Sequence, residues 1–229
     1  MASETMLDIS VSKAATETEN PVILQALAME KLDLYKSHLH IFTDASKCEN
    51  RNAAAYCIPS LDIEYSCRLP DIVSIFTGEM TAIKLALGFI KENCNICGFP
   101  DKIAIFSDSL SVLTAIKKKH STVRPRMLDD ILNIINEISA EILFVWIPSH
   151  LGIKGNEKVD VLAKAATNKY EIYEDIKLEV LEYNEIIKRH ILSKWQNEWA
   201  NCPHGQFYRV IEPNVSLQVK YEHTRSHSY

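Results

Sequence analysis

The sequence lacks a long apolar run, an excess of positive charge and an N-terminal secretory signal. No run approaches the ~20 apolar residues that cross a bilayer, so we expect no transmembrane helix and no membrane partner. With 25 Lys and Arg against 30 Asp and Glu, the net charge of −5 gives no general reason to expect a polyanionic partner. Because the first residues, M-A-S-E-T-M-L-D, are polar and acidic, we expect an intracellular protein, in the cytoplasm or nucleus and not secreted, with its six cysteines reduced.

The distribution of charged and apolar residues divides the chain into three parts. Residues 1–37 form an acidic N-terminal tail, in which we expect 1–20 to be disordered and 21–36 to form a short helix. Residues 38–170 carry the patterned segments of a folded domain and hold fifteen basic and fifteen acidic side chains. Residues 171–229 are expected to form a C-terminal helical extension, with a long helix over 179–199 and then an irregular tail.

Hydrophobic periodicity predicts an α/β fold for residues 38–170. Strands are predicted over 38–46, 53–58, 63–69, 103–106 and 141–147. Helices are predicted from 79 to the break at Gly98, over 109–119, from about 124 to 138 and over 156–170. Short loops join the first three strands, which is typical of an antiparallel meander. We therefore predict a mixed five-stranded sheet, with three antiparallel strands then two parallel ones and with helices on both faces.

Four acidic residues stand where strands end or helices begin, positions from which side chains can converge. Asp44 lies within the first strand, Glu79 opens a helix, Asp108 follows an apolar strand, and Asp160 lies in the first turns of the last helix. Any one of them alone reads equally well as a solvated charge, and Asp108 as an N-cap. Four carboxylates brought together repel one another unless cations lie between them, and hard oxygen ligands suit Mg²⁺ or Mn²⁺. The pattern predicts a two-metal site of the kind that hydrolyses phosphodiesters.

These acids lie in four motifs that together resemble ribonuclease H of the type 1 branch. The motifs are F-T-D-A-S (42–46), T-G-E-M-T-A-I (77–83), S-D-S (107–109) and S-H-L-G-I-K-G-N-E-K-V-D-V-L-A-K-A-A (149–166). The amino-acid sequences of these motifs are also similar to those of the ribonuclease H domain of arthropod non-long-terminal-repeat (jockey-like) retrotransposon polyproteins. The resemblance implies a ribonuclease H-like fold and an endonuclease that cuts the RNA strand of RNA–DNA hybrids. It also implies a reverse transcriptase as partner, in cis or in trans, and a helical W-x-x-E-W segment after the domain, which residues 195–199 fit.

The resemblance implies roles for individual residues. Asp44, Glu79, Asp108 and Asp160 would be catalytic and would hold two Mg²⁺ ions, with Mn²⁺ as a possible substitute. His150 would be a fifth catalytic residue that assists proton transfer or product release. The residues expected to contact the hybrid are Ser46, Ser74, Thr77, Ser109, Lys117, Lys118 and Arg124.

Two departures from the family pattern affect these expectations. Ala45 stands where many type 1 enzymes have glycine, and we expect it to narrow the space beside the metals slightly. Ile75 and Phe76 replace the amide side chains that in many relatives touch the minor groove of the hybrid, so Ser74, Thr77 or backbone groups would have to take their place.

Two other functions remain open from the sequence. One is a catalytically inactive, retroelement-derived module that binds nucleic acid, although a module without metal has no physical reason to keep four repelling carboxylates. The other is a nuclease of the same fold that acts on structured DNA or removes 3′-nucleotides, although such enzymes usually lack the 149–166 motif.

Overall fold

The computed structural model of the protein describes residues 6–18 and 20–217. The chain divides after Lys177 into two compact units, each considered by itself. The described part of the first unit contains the strands Met6–Asp8 (β1), Leu39–Cys48 (β2), Arg51–Ile58 (β3), Ile63–Leu69 (β4), Lys102–Ser107 (β5) and Glu141–Trp146 (β6). Its helices are Ser10–Glu17 (α1), Pro21–Leu34 (α2), Ile75–Asn93 (α3), Leu110–Lys118 (α4), Pro125–Glu137 (α5) and Lys154–Ala166 (α6).

The strands form one mixed sheet in the order β1-β6-β5-β2-β3-β4. β2, β3 and β4 pair antiparallel, and the turn Pro59–Leu61 joins the last two as the sequence predicts. The pairs β2–β5, β5–β6 and β1–β6 are parallel. The predicted mixed α/β fold is thus confirmed, whereas the predicted count of five strands is wrong because β1 adds a sixth.

β1 arises from a segment in which the sequence predicts disorder. A strand of three residues is too short to show a hydrophobic period, and its order comes from contacts distant in sequence. Met6 pairs with Leu143 of β6, and the Asp8 carboxylate accepts hydrogen bonds from Tyr35 Oη and Lys31 Nζ, each at 2.8 Å. Helix α1, Ser10–Glu17, also falls within the segment expected to be disordered, and residues 1–5 and 19 of that segment lie outside the described residues.

Two apolar layers cover the sheet because the strands alternate their side chains between its faces. One face of the sheet packs against α3, α4 and α5, with Ile41, Ile105 and Phe144 among its fully buried strand residues. The opposite face packs against α2 and α6, with Phe106 and Val145 buried. The sheet therefore has helices on both faces, which leaves its edges and strand ends open for polar side chains.

Seven residues after the predicted domain end still belong to the first unit. This segment, 171–177, is called the strap. Tyr173 N donates to Arg68 O at 2.7 Å, and Arg124 Nη1 donates to Lys177 O at 2.8 Å. Ile176 is buried, at 8% exposure. The strap thus lies along β4 and ends on the buried guanidinium of Arg124, so the compact unit reaches Lys177 rather than residue 170.

The second unit contains the helices Val180–Asn201 (α7) and Gln206–Ile211 (α8) in its described part. The long helix matches the predicted one over 179–199, and α8 lies in the segment that was expected to be irregular. Trp199 Nε1 donates to Glu212 O at 3.0 Å, and the Arg209 guanidinium lies 5.9 Å from the centre of the Trp199 ring. Across the described part of the chain, none of the helices has both the length and the apolar content to cross a bilayer.

Candidate active site

Asp44 and Asp108 come together because β2 and β5 are neighbouring parallel strands. Thr43 of β2 is paired with Ser107 of β5, so the next residue on each strand is an aspartate. Asp44 still lies within β2, whereas Asp108 lies just past the end of β5. Trp146 Nε1 donates to Asp108 O at 2.8 Å, which fixes the backbone at that strand end. The register of one strand pair thus places two carboxylates side by side.

Glu79 reaches these aspartates from α3. The sequence predicted Glu79 on the first turn, but α3 begins four residues earlier because the Ser74 side chain caps it by accepting from Thr77 N at 3.2 Å. Glu79 is the fifth residue of the helix, is buried at 7% exposure, and accepts Ala45 N on Oε1 at 3.3 Å. Its Oε2 is buried and has no hydrogen-bond partner among the described residues.

The backbones of β2 and α3 approach closely at Ala45 and Gly78. A Cβ built on Gly78 would lie 2.8 Å from the Ala45 Cβ, so the glycine makes room for the alanine methyl. Ala45 also lines the cleft that holds the carboxylates, so the expectation that it narrows the space beside the metals stays a prediction. The contact between Ala45 and Gly78 fixes how near Glu79 lies to β2.

Asp160 approaches the same place from α6. Gly155 at the start of α6 packs on the ring of Phe42, and a Cβ there would overlap the ring, so α6 can lie directly on β2 only with glycine at this position. Asp160 accepts Lys164 Nζ at 2.6 Å. It lines one cleft of about 240 Å³ together with Asp44, Glu79 and Asp108.

The first three carboxylates form the tightest group. One carboxylate oxygen from each of Asp44, Glu79 and Asp108 lies within 4.8 Å of the others. Burial, followed by the charges of Asp108 and Asp160, raises the pKa of Asp44 from 3.8 to about 7. Burial and the charge of Asp44 raise the pKa of Glu79 well above its usual value. Burial also raises the pKa of Asp108, although His150 opposes the shift.

This donor set fits a divalent cation. Raised carboxyl pKa values mean that the protein alone does not compensate the negative charge it gathers here. The unpartnered Glu79 Oε2 is a buried oxygen that a cation would satisfy. Carboxylate oxygens in this number are the ligands that Mg²⁺ and Mn²⁺ prefer. Asp44, Glu79 and Asp108 are therefore the residues that could hold a metal ion, and Asp160 lines the same cleft.

Comparison with known protein families agrees with this geometry. A model of the RNase H family matches residues 36–168, more than half of the chain. The chain belongs to the ribonuclease H family. A search of curated proteins finds no match. The ribonuclease H match begins within the connection between α2 and β2 and ends just after α6, so it includes all four acids but neither α2 nor the strap.

His150 lies on the rim of the ribonuclease H cleft. It is exposed, has a left-handed backbone with φ of 55°, and lines the cleft beside Ser149. Side-chain ligand atoms of His150, Glu157 and Asp160 lie within 4.8 Å of one another. The predicted catalytic histidine is thus beside Asp160, on the solvent side of the carboxylate group.

The residues predicted to contact the hybrid are in different environments. Ser46 lines the cleft, and Ser109 follows Asp108 directly at the N-terminus of α4. Ser74 is the cap of α3, and its Oγ lies 3.1 Å from Thr77 Oγ1. Thr77 is fully buried, which leaves no surface of its side chain for a ligand.

Two lysines and one arginine complete the predicted hybrid contacts. Lys117 and Lys118 are exposed in the last turn of α4. The prediction for Arg124 is wrong, because its side chain is fully buried and donates to the strap carbonyl of Lys177. The sequence around Arg124 did not indicate that its side chain would be buried, because the carbonyl that accepts its hydrogen bond lies 53 residues further along the chain.

Among the cleft residues that the sequence did not predict, Asn156 and Lys164 lie near Asp160 on α6. Asn156 is buried at 5% exposure, and its Oδ1 has no hydrogen-bond partner within the described part of the chain. It is the third residue of α6 and precedes Asp160 by four residues, a spacing that puts both side chains on one face of the helix. That spacing could have indicated Asn156 from the sequence. Lys164 was also missed, although its spacing of four residues from Asp160 is that of a helical ion pair.

Proposed function

We propose that the protein is a divalent-metal-dependent endonuclease that hydrolyses the RNA strand of RNA–DNA hybrids. The observation that carries the proposal is the convergence of Asp44, Glu79 and Asp108 within 4.8 Å, with raised pKa values, in a chain of the ribonuclease H family. Isolated acidic groups on a surface keep ordinary pKa values and hydrogen-bond partners, whereas perturbed groups that line a cleft are typical of functional sites.

The four carboxylates would hold two Mg²⁺ ions, with Mn²⁺ as a substitute. Two such ions, when bound, supply activation of the attacking water and stabilisation of the leaving 3′-oxygen. Asp44, whose pKa is raised by burial and by the charges of both Asp108 and Asp160, would serve both ions. Lys164 forms an exposed ion pair with Asp160. A metal ion at Asp160 would have to displace the lysine ammonium group or share the carboxylate with it.

Two other side chains would act on the substrate directly. Glu79 Oε1 is held by Ala45 N, which keeps the carboxylate facing the cleft, and we propose that it accepts from the ribose 2′-hydroxyl beside the cut. That contact would distinguish RNA from DNA. His150 is exposed beside Asp160, where a proton can pass between the imidazole and solvent. We propose that it moves a proton during hydrolysis or product release.

The hybrid would lie across the open side of the cleft. Ser46 and Ser109 flank Asp44 and Asp108 and offer hydroxyl groups to the backbone of the cut strand. Lys117 and Lys118 lie one nine-residue helix away from Asp108, roughly 13 Å along α4. That distance corresponds to about two phosphate spacings, so these lysines suit phosphates away from the cut.

We further propose that the protein derives from a jockey-like retrotransposon polyprotein and works with a reverse transcriptase in cis or in trans. The wording of the motifs and the W-x-x-E-W segment on α7 support this origin. A tethered polymerase would raise the effective concentration of hybrid at the cleft. Cleavage that rises on addition of the cognate polymerase at limiting hybrid would support the partnership, and unchanged cleavage would contradict it.

The test of the activity is a gel assay with end-labelled RNA–DNA hybrid, with Mg²⁺ or EDTA. The wild type should cut the RNA strand only with metal, and Asp108→Asn should reduce the rate at least about 10³-fold. Asp129→Asn, a change at an exposed aspartate of α5, is the matched control and should cut like wild type. Equal rates for wild type and Asp108→Asn would refute the proposal. Faster cutting of an all-DNA duplex than of the hybrid would show that the proposed substrate is wrong.

A further inference from the structure

The loop between β6 and α6, residues 148–153, carries His150 and is called the His150 loop. Two of its residues have left-handed backbone, His150 with φ of 55° and Gly152 with φ of 71°. A residue with a Cβ disfavours this conformation, so contacts that hold the loop help to keep the backbone of His150 there. The contacts that hold the His150 loop consequently determine where the imidazole lies relative to Asp160.

Two side chains hold the loop at a single peptide group, the one that joins Leu151 to Gly152. Gly152 N donates to Glu157 Oε1 at 3.1 Å, which ties the loop to the start of α6. From the opposite direction, Gln25 Nε2 donates to Leu151 O at 2.6 Å. Gln25 Nε2 would also lie 3.2 Å from a Cβ built on Gly152, so the amide packs against the glycine as well. The residue after His150 is thus fixed by a donor from another element.

That donor belongs to α2, which lies outside the part of the chain that matches the family. The match starts at residue 36, and α2 ends at Leu34. α2 is itself firmly placed: Ala28 is fully buried against the sheet, and Lys31 Nζ bonds the Asp8 carboxylate of β1 at 2.8 Å. A helix anchored in this way can hold a loop, whereas a mobile tail cannot.

We propose that Gln25 is a positioning residue for catalysis, because through Leu151 O it keeps the His150 loop in the conformation that places the imidazole at the cleft. The proposal rests on the proposed function, since it assigns α2 a role in the same reaction. Gln25 acts through His150 and does not itself touch substrate. The N-terminal segment is therefore a brace that this chain adds to the ribonuclease H core.

Two substitutions separate the hydrogen bond from the bulk of the side chain. Gln25→Met keeps the length of the side chain and its helix propensity but removes the donor, whereas Gln25→Lys keeps a donor. We expect kcat on hybrid to fall about fivefold in Gln25→Met, the size expected for loss of one hydrogen bond, with KM unchanged. Gln25→Lys should recover most of the rate. Glu30→Ala, at another exposed position of α2, is the matched control and should leave kcat unchanged.

A double-mutant cycle decides whether the effect passes through the histidine. In a His150→Ala background, Gln25→Met should cause no further loss of kcat, since there is no imidazole to misplace. Equal losses with and without His150 would overturn the proposal, because they would show that Gln25 does not act through His150. Unchanged kcat in Gln25→Met would overturn it as well.

A structural measurement keeps this test separate from the activity itself. In ¹⁵N-relaxation experiments, the Leu151 and Gly152 amides should become more mobile in Gln25→Met and remain as ordered as wild type in Glu30→Ala. Unchanged amide order in Gln25→Met would overturn the proposal. If the wild type failed to cut hybrid while Gln25→Met loosened the loop, the proposed function would be wrong and the brace itself would stand.

Discussion

Replacing Asp44 by asparagine should stabilise the metal-free protein at neutral and alkaline pH. Asp44 is 8% exposed, and its pKa in the fold is about 7 instead of 3.8. Three pKa units at ~1.4 kcal/mol each mean that ionised Asp44 lowers the free energy of unfolding by about 4 kcal/mol. Asparagine keeps the shape of the side chain but cannot ionise, so it avoids this loss.

The sign of the pH dependence follows from the raised pKa. Between pH 3.8 and about 7 the folded protein holds a proton on Asp44 that the unfolded chain releases. The stability contribution of this group is therefore complete below pH 3.8 and is lost as the pH rises to about 7. We expect Asp44→Asn to exceed wild type by about 4 kcal/mol at pH 8 and to match it near pH 4.

The assay is urea unfolding in EDTA at pH 4, 6 and 8, followed by NMR signals of buried methyl groups of the first unit. Excess Mg²⁺ should then stabilise wild type at pH 8 by about 2.7 kcal/mol at a hundredfold excess over the dissociation constant, and should stabilise Asp44→Asn much less. Asp129→Asn, at an exposed site, should show neither effect. Equal stability of Asp44→Asn and wild type at pH 8 in EDTA would refute the electrostatic reasoning.

Three further predictions concern the packing and charge around the cleft. Gly78→Ala should lower the free energy of unfolding by about 1–3 kcal/mol because the new methyl group would clash with Ala45. Adding Ala45→Gly should restore most of the lost stability, and additive stability losses in the double variant would contradict this. Lys164→Met removes the cation beside Asp160, so Mg²⁺ affinity measured by calorimetry should rise up to about fivefold, whereas a fall would show that the lysine supports the site. A chain ending before the strap should be about 2 kcal/mol less stable in urea than one ending just after it. Arg124→Met should reduce that difference by about 1 kcal/mol, and an unchanged difference would contradict the role of Arg124.

The sequence was sufficient for the parts of the fold that depend on local pattern. Alternating and apolar runs predicted β4 at 63–69 with the bounds that the structure has, and they placed β2 and β5 within two residues at each end. From the sequence, Asp44 and Asp108 are neighbours only if β2 and β5 adjoin, and the parallel pairing of these two strands meets that condition. Such features are predictable because they need only periodicity and the order of elements.

The features that the sequence did not predict depend on contacts between distant segments. β1 has three residues and owes its order to β6 and to α2. The sequence predicted that Arg124 would contact the hybrid, but its side chain is buried and donates a hydrogen bond to a carbonyl of the strap. Gln25 carries no motif, and only the folded structure places its amide against the His150 loop. Hydrogen bonds of this kind leave no period in the sequence, so they appear only once the chain is folded.

Two carboxylates of the same unit, the partly buried Asp8 and the buried Glu79, differ in how the protein satisfies their charge. Burial opposes ionisation of Asp8, but hydrogen bonds from Lys31, Ser10 and Tyr35 more than offset it and hold its pKa well below the usual range. The protein thus supplies this structural carboxylate with enough hydrogen-bond donors to stabilise its charge. At Glu79 it does the opposite: one oxygen has a single long hydrogen bond, the other has no hydrogen-bond partner among the described residues, and two more carboxylates lie within 4.8 Å. Since this arrangement lowers stability and a chain that can satisfy Asp8 could satisfy Glu79, the uncompensated charge supports the proposal that the cleft binds a cation.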